Sequence, residues 1–302
     1  HEDLPAFKSQ NEAVKWYLKG LNESGLCLMD NLKRHPNPLT QLRLFNFFCI
    51  FHLVRYMALL EAFYCGENIR PVLLDFSGIA PSQSSVARAS EMAYTQMHKS
   101  INRFYAWGYA QKLKEKDYSK EDLLQSETPV YDEKKKASVE FSTLWNLAKE
   151  RASACATDDA ARLVFGETMY DMLALEASSH PVNCLKILGT SAGMLYPPDQ
   201  MHPNKRFVLS QDILEMILRS TVSPDEVLSG NDMRNRLWER FGIIIGGSTY
   251  EIEKLQSSGM LLQIDEDSLE RNFTSFAALL ESMDFAEVMA DGILQIRLGG
   301  SD

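Results

Sequence analysis

The stretch Leu42 to Tyr64, LRLFNFFCIFHLVRYMALLEAFY, is the most apolar part of this chain, and whether it spans a membrane or lies in a packed core separates the possible folds. A membrane-spanning helix needs about 20 predominantly apolar residues, and ionisable groups near its middle are costly. Arg43, His52, Arg55 and Glu61 lie within this stretch, so it reads as a helix of a soluble core. At about 100° per residue, Arg43, Asn46 and Glu61 share one side while His52 and Arg55 share another, leaving wide apolar faces between them. A helix apolar over most of its circumference is expected at the centre of the fold.

Working outward, Asn11 to Asn22 predicts a helix carrying Val14, Trp16, Tyr17, Leu18 and Leu21, and His35-Pro36-Asn37-Pro38 breaks the chain before the central helix. Beyond it, Val72-Leu73-Leu74 is a short apolar run compatible with a strand or a buried connection. Ser82 or Ser84 then caps a helix running to about Lys114. Residues 117–130 read as a polar surface loop, and helical pattern resumes from Tyr131. Thr157-Asp158-Asp159 caps a further helix that ends at His180-Pro181, and a short helix precedes Gly189. Tyr196-Pro197-Pro198 to His202-Pro203 is irregular, and a boundary is placed there: a helical domain over 1–200 and a second domain over 201–302.

The second domain opens with a helix from Gln211 to Thr221. Ser223-Pro224-Asp225-Glu226 has the form of a capping box and predicts a helix start. Helices follow at Asn231–Phe241 and Tyr250–Gln256, separated by the apolar Gly242–Gly247 segment. A longer helix spans Asp265–Ser282. Asp291-Gly292 between Ala286–Ala290 and Ile293–Leu298 is a hairpin signal. Short helices, a longer helix and a hairpin form the order of a winged helix, so the fold class is mainly α: a helical N-terminal domain plus a winged-helix-like α+β C-terminal domain.

Composition narrows the function. The 302 residues carry 31 Lys+Arg against 41 Asp+Glu, a formal charge of −10. Residues 1–150 hold 19 basic against 18 acidic, and 151–302 hold 12 against 23, so the halves carry +1 and −11. This excludes a surface that is basic throughout, as coating nucleic acid or an anionic membrane requires, and leaves only a local basic face. Cys27, Cys49, Cys65, Cys155 and Cys184 are odd in number and widely spaced, which is thiol usage of a reducing compartment. With no charged-then-apolar signal pattern at the N-terminus, a cytoplasmic location is expected.

Motifs for chemistry are sparse. The histidines His1, His35, His52, His98, His180 and His202 show no metal-ligand spacing, so neither a metal nor a cofactor is expected. No nucleophile elbow is present. Asp75-Phe76-Ser77-Gly78 is the best active-site-like turn, although Asp75 and Ser77 serve equally to turn the chain. Gly242 to Thr249 places glycines before a helix but lacks a P-loop lysine. The acid-then-lysine runs Asp132-Glu133-Lys134 and Glu251-Ile252-Glu253-Lys254 fall on predicted helices, where neighbouring acids do not converge on a metal. For nucleic acid, the helix before the hairpin is acidic, with Asp265, Glu266, Asp267, Glu270 and Glu281 against Arg271. The candidate contacts are instead Arg234, Arg236 and Arg240, with Lys205, Arg206 and Arg297. Pairing with Asp232, Glu239 and other acids is the alternative reading of these arginines.

The segment Leu237 to Gly247, with Leu269-Glu270-Arg271-Asn272 and Ala290-Asp291-Gly292, resembles uncharacterised helical accessory proteins of prokaryotic DNA-modification and anti-phage defence systems. The resemblance covers the last third of the chain and transfers no catalytic residue. It implies a component that acts beside a separate ATPase or nuclease subunit. The expectation is therefore a non-enzymatic adaptor or assembly subunit with a protein partner. A DNA-binding protein using Arg234, Arg236 and Arg240, and an enzyme with a site near Asp75, are the alternatives.

Overall fold

A computed structural model describes residues 11–65, 69–129, 139–176, 181–200, 202–247, 249–257, 264–290 and 292–298. These residues are mainly helical, with a few small sheets. The first part holds α1 (Glu12–Arg34), α2 (Pro38–Ala58), α3 (Leu60–Cys65), β1 (Val72–Leu73), α4 (Ser85–Glu115) and α5 (Lys120–Gln125). The middle holds α6 (Val139–Ser153), α7 (Asp158–Glu176), α8 (Pro181–Ser191), β2 (Leu195–Tyr196) and β3 (Arg206–Phe207). The last part holds α9 (Gln211–Arg219), β4 (Val227–Ser229), α10 (Gly230–Phe241), β5 (Ile243–Ile244), α11 (Thr249–Ser257), α12 (Glu266–Ser282), β6 (Ala286–Val288) and β7 (Leu294–Arg297).

Contacts divide the chain at 97/98 and 184/185, not near residue 200: one unit joins 1–97 with 185–302, and 98–184 form the other. The reason is non-local pairing. β1 lies parallel to β5, Val72 opposite Ile243 and Leu73 opposite Ile244, so an early apolar run is hydrogen-bonded to a late one. Leu73, Leu74, Ile244 and Ile245 are almost wholly buried there. Helix α1 packs on α10, and α2 packs on α9.

The α1–α10 crossing is close because the facing residues of α1 are small. A Cβ on Gly20 would stand 2.2 Å from the Arg240 carbonyl oxygen. Ser24 and Cys27 are buried on the same side, and Asn31 donates to the Arg219 and Val222 carbonyls at the end of α9. Asn272 of α12 fastens the strand pair. It accepts from the Phe76 N–H at 2.7 Å and donates to the Leu74 and Ile245 carbonyls at 2.9 and 2.6 Å.

The apolar run of 42–64 forms helix, but it breaks at Leu59 and does not lie at the centre. Helix α2 buries Leu44, Phe48, Phe51, His52, Val54 and Arg55 and leaves Leu42, Phe45, Cys49 and Leu53 on its outer side. Its main neighbour is α9, with α1 and α3 also packed against it. The predicted helix start at Ser223 is also absent. Glu226 does reach back to the Ser223 N–H at 3.0 Å, as in a capping box, but Asp225 takes φ 65° and the chain turns into β4. Cross-strand pairing with β7 takes Val227–Ser229 out of any helix.

Other ends follow their caps. Asn11 accepts from the Ala13 N–H, Ser229 from Asp232 and Asp265 from Ser268; Gly242 closes α10 at φ 65°. Ser84 accepts from the Ala87 N–H at the start of α4. The supposed loop 117–130 contains α5, opened by a capping box of Ser119 and Asp122. In the last sheet β4 pairs with β7, and β7 pairs with β6, both antiparallel, with Gly292 at φ 79° in the connecting turn. Asp291, the other hairpin residue, and Lys134 to Lys136 lie outside the described residues.

In the other unit α6 and α7 pack along each other, with α5 across them, around Trp145, Phe165, Met172 and Leu123. Gly166 is required there: a Cβ would sit 2.2 Å from the Ala106 carbonyl oxygen. Among the described residues no helix is long and apolar enough to cross a membrane.

Candidate functional site

Asp75 follows β1 and is buried. Its Oδ1 accepts from the Ser77 N–H at 2.9 Å and the Ser77 hydroxyl at 2.6 Å. Oδ2 lies 3.0 Å from Arg206 Nη1 as an ion pair, while that nitrogen directs its hydrogen bond to the Ile79 carbonyl at 2.5 Å. The Asp75 N–H is itself held by the Phe207 carbonyl. Ser77 therefore donates to a carboxylate already paired with a cation, and Ser84 is its other near neighbour at 3.5 Å. A carboxylate so arranged fixes a turn, because each of its oxygens is spent on a fixed donor or cation. The geometry makes Asp75 and Arg206 a clasp between β1 and β3.

The predicted basic residues are placed as follows. Lys205 is fully buried, and its ammonium donates to the Pro197 and Asp199 carbonyls. Arg206 stacks over Tyr196 in addition to its pairing with Asp75. Arg236 forms a two-pronged pair with Glu226 at 2.5 and 2.9 Å and donates to the Thr221 carbonyl at 3.0 Å. Those hydrogen bonds from Arg236 hold the Glu226 carboxyl down at about 2. Arg240 donates to the Ser220 and Thr221 carbonyls, at 2.7 and 3.1 Å, and stands 3.8 Å from Glu23.

Arg236 and Arg240 thus serve the carbonyl end of α9, where a helix leaves acceptors without intrahelical donors. Arg234 lies over the Phe273 ring at 4.7 Å and pairs with Glu270 and Asn231. The structure brings Arg236 and Arg240 together on the Thr221 carbonyl and directs Arg234 to α12. Arg297 remains largely exposed, 3.7 Å from Glu287. No sequence motif signals a carbonyl as an arginine's partner, so these roles are seen only in three dimensions.

The remaining motifs close in the same way. Where a Cβ on Gly247 would stand, the Glu251 carboxylate is 2.5 Å away, so the turn before α11 faces an acid of its own chain. Gly246 is required by Phe273 and the Leu269 carbonyl on α12. Lys254 lies 4.0 Å over the Trp238 ring. Among the described residues no group of His, Cys, Asp and Glu is arranged to hold a metal ion. Asp132, Glu133 and Lys134 lie outside those residues.

His52 and Arg55, which the sequence places on one side of the central helix, are both buried on the inner side of α2. His52 is packed among Tyr17, Phe48, Phe51 and Phe241, with Nε2 3.4 Å from the Ser24 hydroxyl. Burial, assisted by the Arg55 charge, lowers its pKa to about 3, so it is neutral at pH 7. Arg55 is buried with its Nη2 beside Gly242, and that nitrogen has no hydrogen-bond partner. Burial brings its pKa down to about 10, which leaves it charged at neutral pH. Tyr17, deprived of solvent, is raised to about 12 and donates to the His52 carbonyl.

Two exposed surfaces of the described residues bear on function. One is the start of α12, where the Glu266 and Asp267 carboxylates are exposed. The other is the outer side of the α1–α2 hairpin, which is apolar. Comparison with known protein families, with curated protein sequences and with solved structures finds no match.

Proposed function

We propose that this chain is a non-enzymatic adaptor or assembly subunit, docking on a basic surface of a protein partner through the exposed acidic face of α12. One observation carries the reading. Lys205, Arg206, Arg234, Arg236 and Arg240 are held in internal contacts, while the Glu266 and Asp267 carboxylates face solvent. A face charged in this way repels phosphate and suits a cationic protein surface. The order α9, β4, α10, β5, α11, α12, β6, β7, with β4 against β7, supports a winged-helix-like region used for protein contact. The resemblance of the last third of the chain supports placing the partner in a prokaryotic defence or DNA-processing assembly.

The test is purification of the tagged protein from its native source, with and without nuclease. The expected result is a stoichiometric protein that survives nuclease and is lost from the Glu266→Lys/Asp267→Lys variant. Recovery of the chain alone, or of a partner removed by nuclease, overturns the reading.

A further inference from the structure

We infer that the outer face of the α1–α2 hairpin is the contact between two copies of this chain. The face is continuous across the two helices. Gly25 of α1 lies level with Phe48 of α2, its Cβ position 3.6 Å from the Phe48 ring, and Ser24 lies level with His52. Helical periodicity then sets Leu18 and Met29 on the solvent side of that seam from α1. From α2 it sets Phe45, Cys49, Leu42 and Leu53 in one widening arc. Cys49 is exposed, and the other five leave between 44 and 57 % of their surface open.

Area selects the kind of occupant. At roughly 150–200 Å² for each large apolar side chain, these residues expose about 500 Å² together, at the upper end for a lone monomer. An obligate or homodimeric contact is about two-thirds apolar, so this patch corresponds to about 800 Å² per partner, the size of a stable protein interface.

Charge selects a second copy over a lipid surface or a charged peptide. A membrane-lying face carries uncompensated Lys and Arg along its edge. Here Lys15 pairs with Glu12, Lys19 with Glu23, Lys33 with Asp30, and Arg43 with Asp212. Such an edge is balanced, and a balanced edge does not repel its own image across a two-fold axis. In an isologous contact of α2 on α2 a residue at mid-stripe meets its counterpart, and Cys49 holds that position.

The experiment is light scattering on the purified chain across a hundredfold concentration range, beside the Leu42→Glu/Leu53→Glu variant. Both leucines are exposed, so the variant is expected to keep the parent's circular dichroism and, at concentrations low enough for both to be monomeric, its thermal unfolding. The expected result is a mass rising toward twice 34.3 kDa for the parent and staying at one copy for the variant. A short bismaleimide is expected to give a covalent dimer that Cys49→Ser abolishes. A parent that stays monomeric throughout overturns the inference. So does a dimer indifferent to the double substitution, or one that crosslinks through Cys155 or Cys184 instead. A monomer that sediments with phosphatidylserine vesicles also overturns it and assigns the face to lipid. The inference stands apart from the α12 docking reading: a monomer that still retains a nuclease-resistant protein partner refutes only the former.

Discussion

The α1–α2 hairpin carries polar residues within its largely apolar inner side and apolar residues among the charges of its outer side. Inside lie Ser24, Asn31, His52 and Arg55, all buried; outside lie Leu18, Leu42, Phe45 and Leu53, all open to solvent. Helix α9, by contrast, buries Ile213, Leu214, Met216, Ile217 and Leu218 and exposes its polar side. What separates the two is the number of neighbours. Helix α9 is short and one-sided, so a single packing surface satisfies it. Helix α2 is apolar over most of its circumference yet leaves Leu42, Phe45 and Leu53 exposed, so mean hydropathy alone does not place a helix at the centre. Inner residues should therefore register in folding stability and outer ones in association, and substitutions on each side test that division.

The largest effect is expected at Gly20. Alanine raises intrinsic helix stability by up to about 1 kcal/mol, but its Cβ would stand 2.2 Å from a backbone oxygen of α10. Backbone cannot yield as a flexible side chain does, so α1 must lift away and lose its packing. We expect Gly20→Ala to cost about 3 kcal/mol or more, read as a lower urea midpoint. A variant as stable as the parent would mean that α1 does not sit on α10.

Asn272 follows. Asn272→Ala leaves one N–H and two carbonyls without the amide that served them, at the junction of β1, β5 and α12. The expected loss is about 2–3 kcal/mol, since some of these groups regain a partner on relaxation. Stability unchanged within error would show that the strand pair holds without α12.

Much of this inner side was legible as elements and little of it as partners. Ser84, Thr157 and Asp265 marked helix starts because a cap acts over three residues of chain. The Asp291-Gly292 signal located β6 and β7 for the same local reason. The division into units was not legible, because it rests on Val72 and Leu73 finding Ile243 and Ile244, and short apolar runs carry no address. Ser223 to Glu226 misled because a capping box and a tight turn share the same Ser–Glu hydrogen bond; pairing with β7 decided between them. The arginines were legible as cations, but the acids they meet are not the Asp232 and Glu239 nearest in sequence: Arg234 pairs with Glu270, Arg236 with Glu226, and Arg240 lies beside Glu23. Arg236 and Arg240 turned out to answer the Ser220 and Thr221 carbonyls, groups that every residue possesses.

The buried histidine gives the division a pH dependence. His52 has a folded pKa of about 3, against 6.5 for the free side chain. Its depressed value means the unfolded chain binds the proton first, so stability is complete above pH 6.5 and falls as pH drops toward 3. Between pH 6.5 and 4.5 the loss attributable to His52 is about 2 kcal/mol at most. Below 4.5 Glu226 adds to it, since its carboxyl must give up the pairing with Arg236. The lowered carboxyls of Asp122, Asp159 and Asp265 act in the same direction below their ordinary values, and Asp171, raised by burial, acts against it. His52→Phe keeps a ring among Tyr17, Phe48 and Phe51 and removes the titration. Its urea midpoint is expected to be flatter than the parent's between pH 6.5 and 4.5, and an unchanged slope would place the histidine within reach of water.

The smallest effect is expected on the outer side, and its smallness is informative. Leu53 is 46 % exposed, so replacing it with serine removes little apolar burial within one copy. At a concentration low enough to keep the chain monomeric, Leu53→Ser is expected to change unfolding stability by less than about 0.5 kcal/mol. At high concentration the parent should gain stability through association by mass action, and the variant should gain less. The gap between the two proteins must therefore widen with concentration, which no loss of internal packing produces. A gap of the same size at every concentration would mean that Leu53 belongs to the core of its own chain, and the two sides of the hairpin would no longer differ in kind.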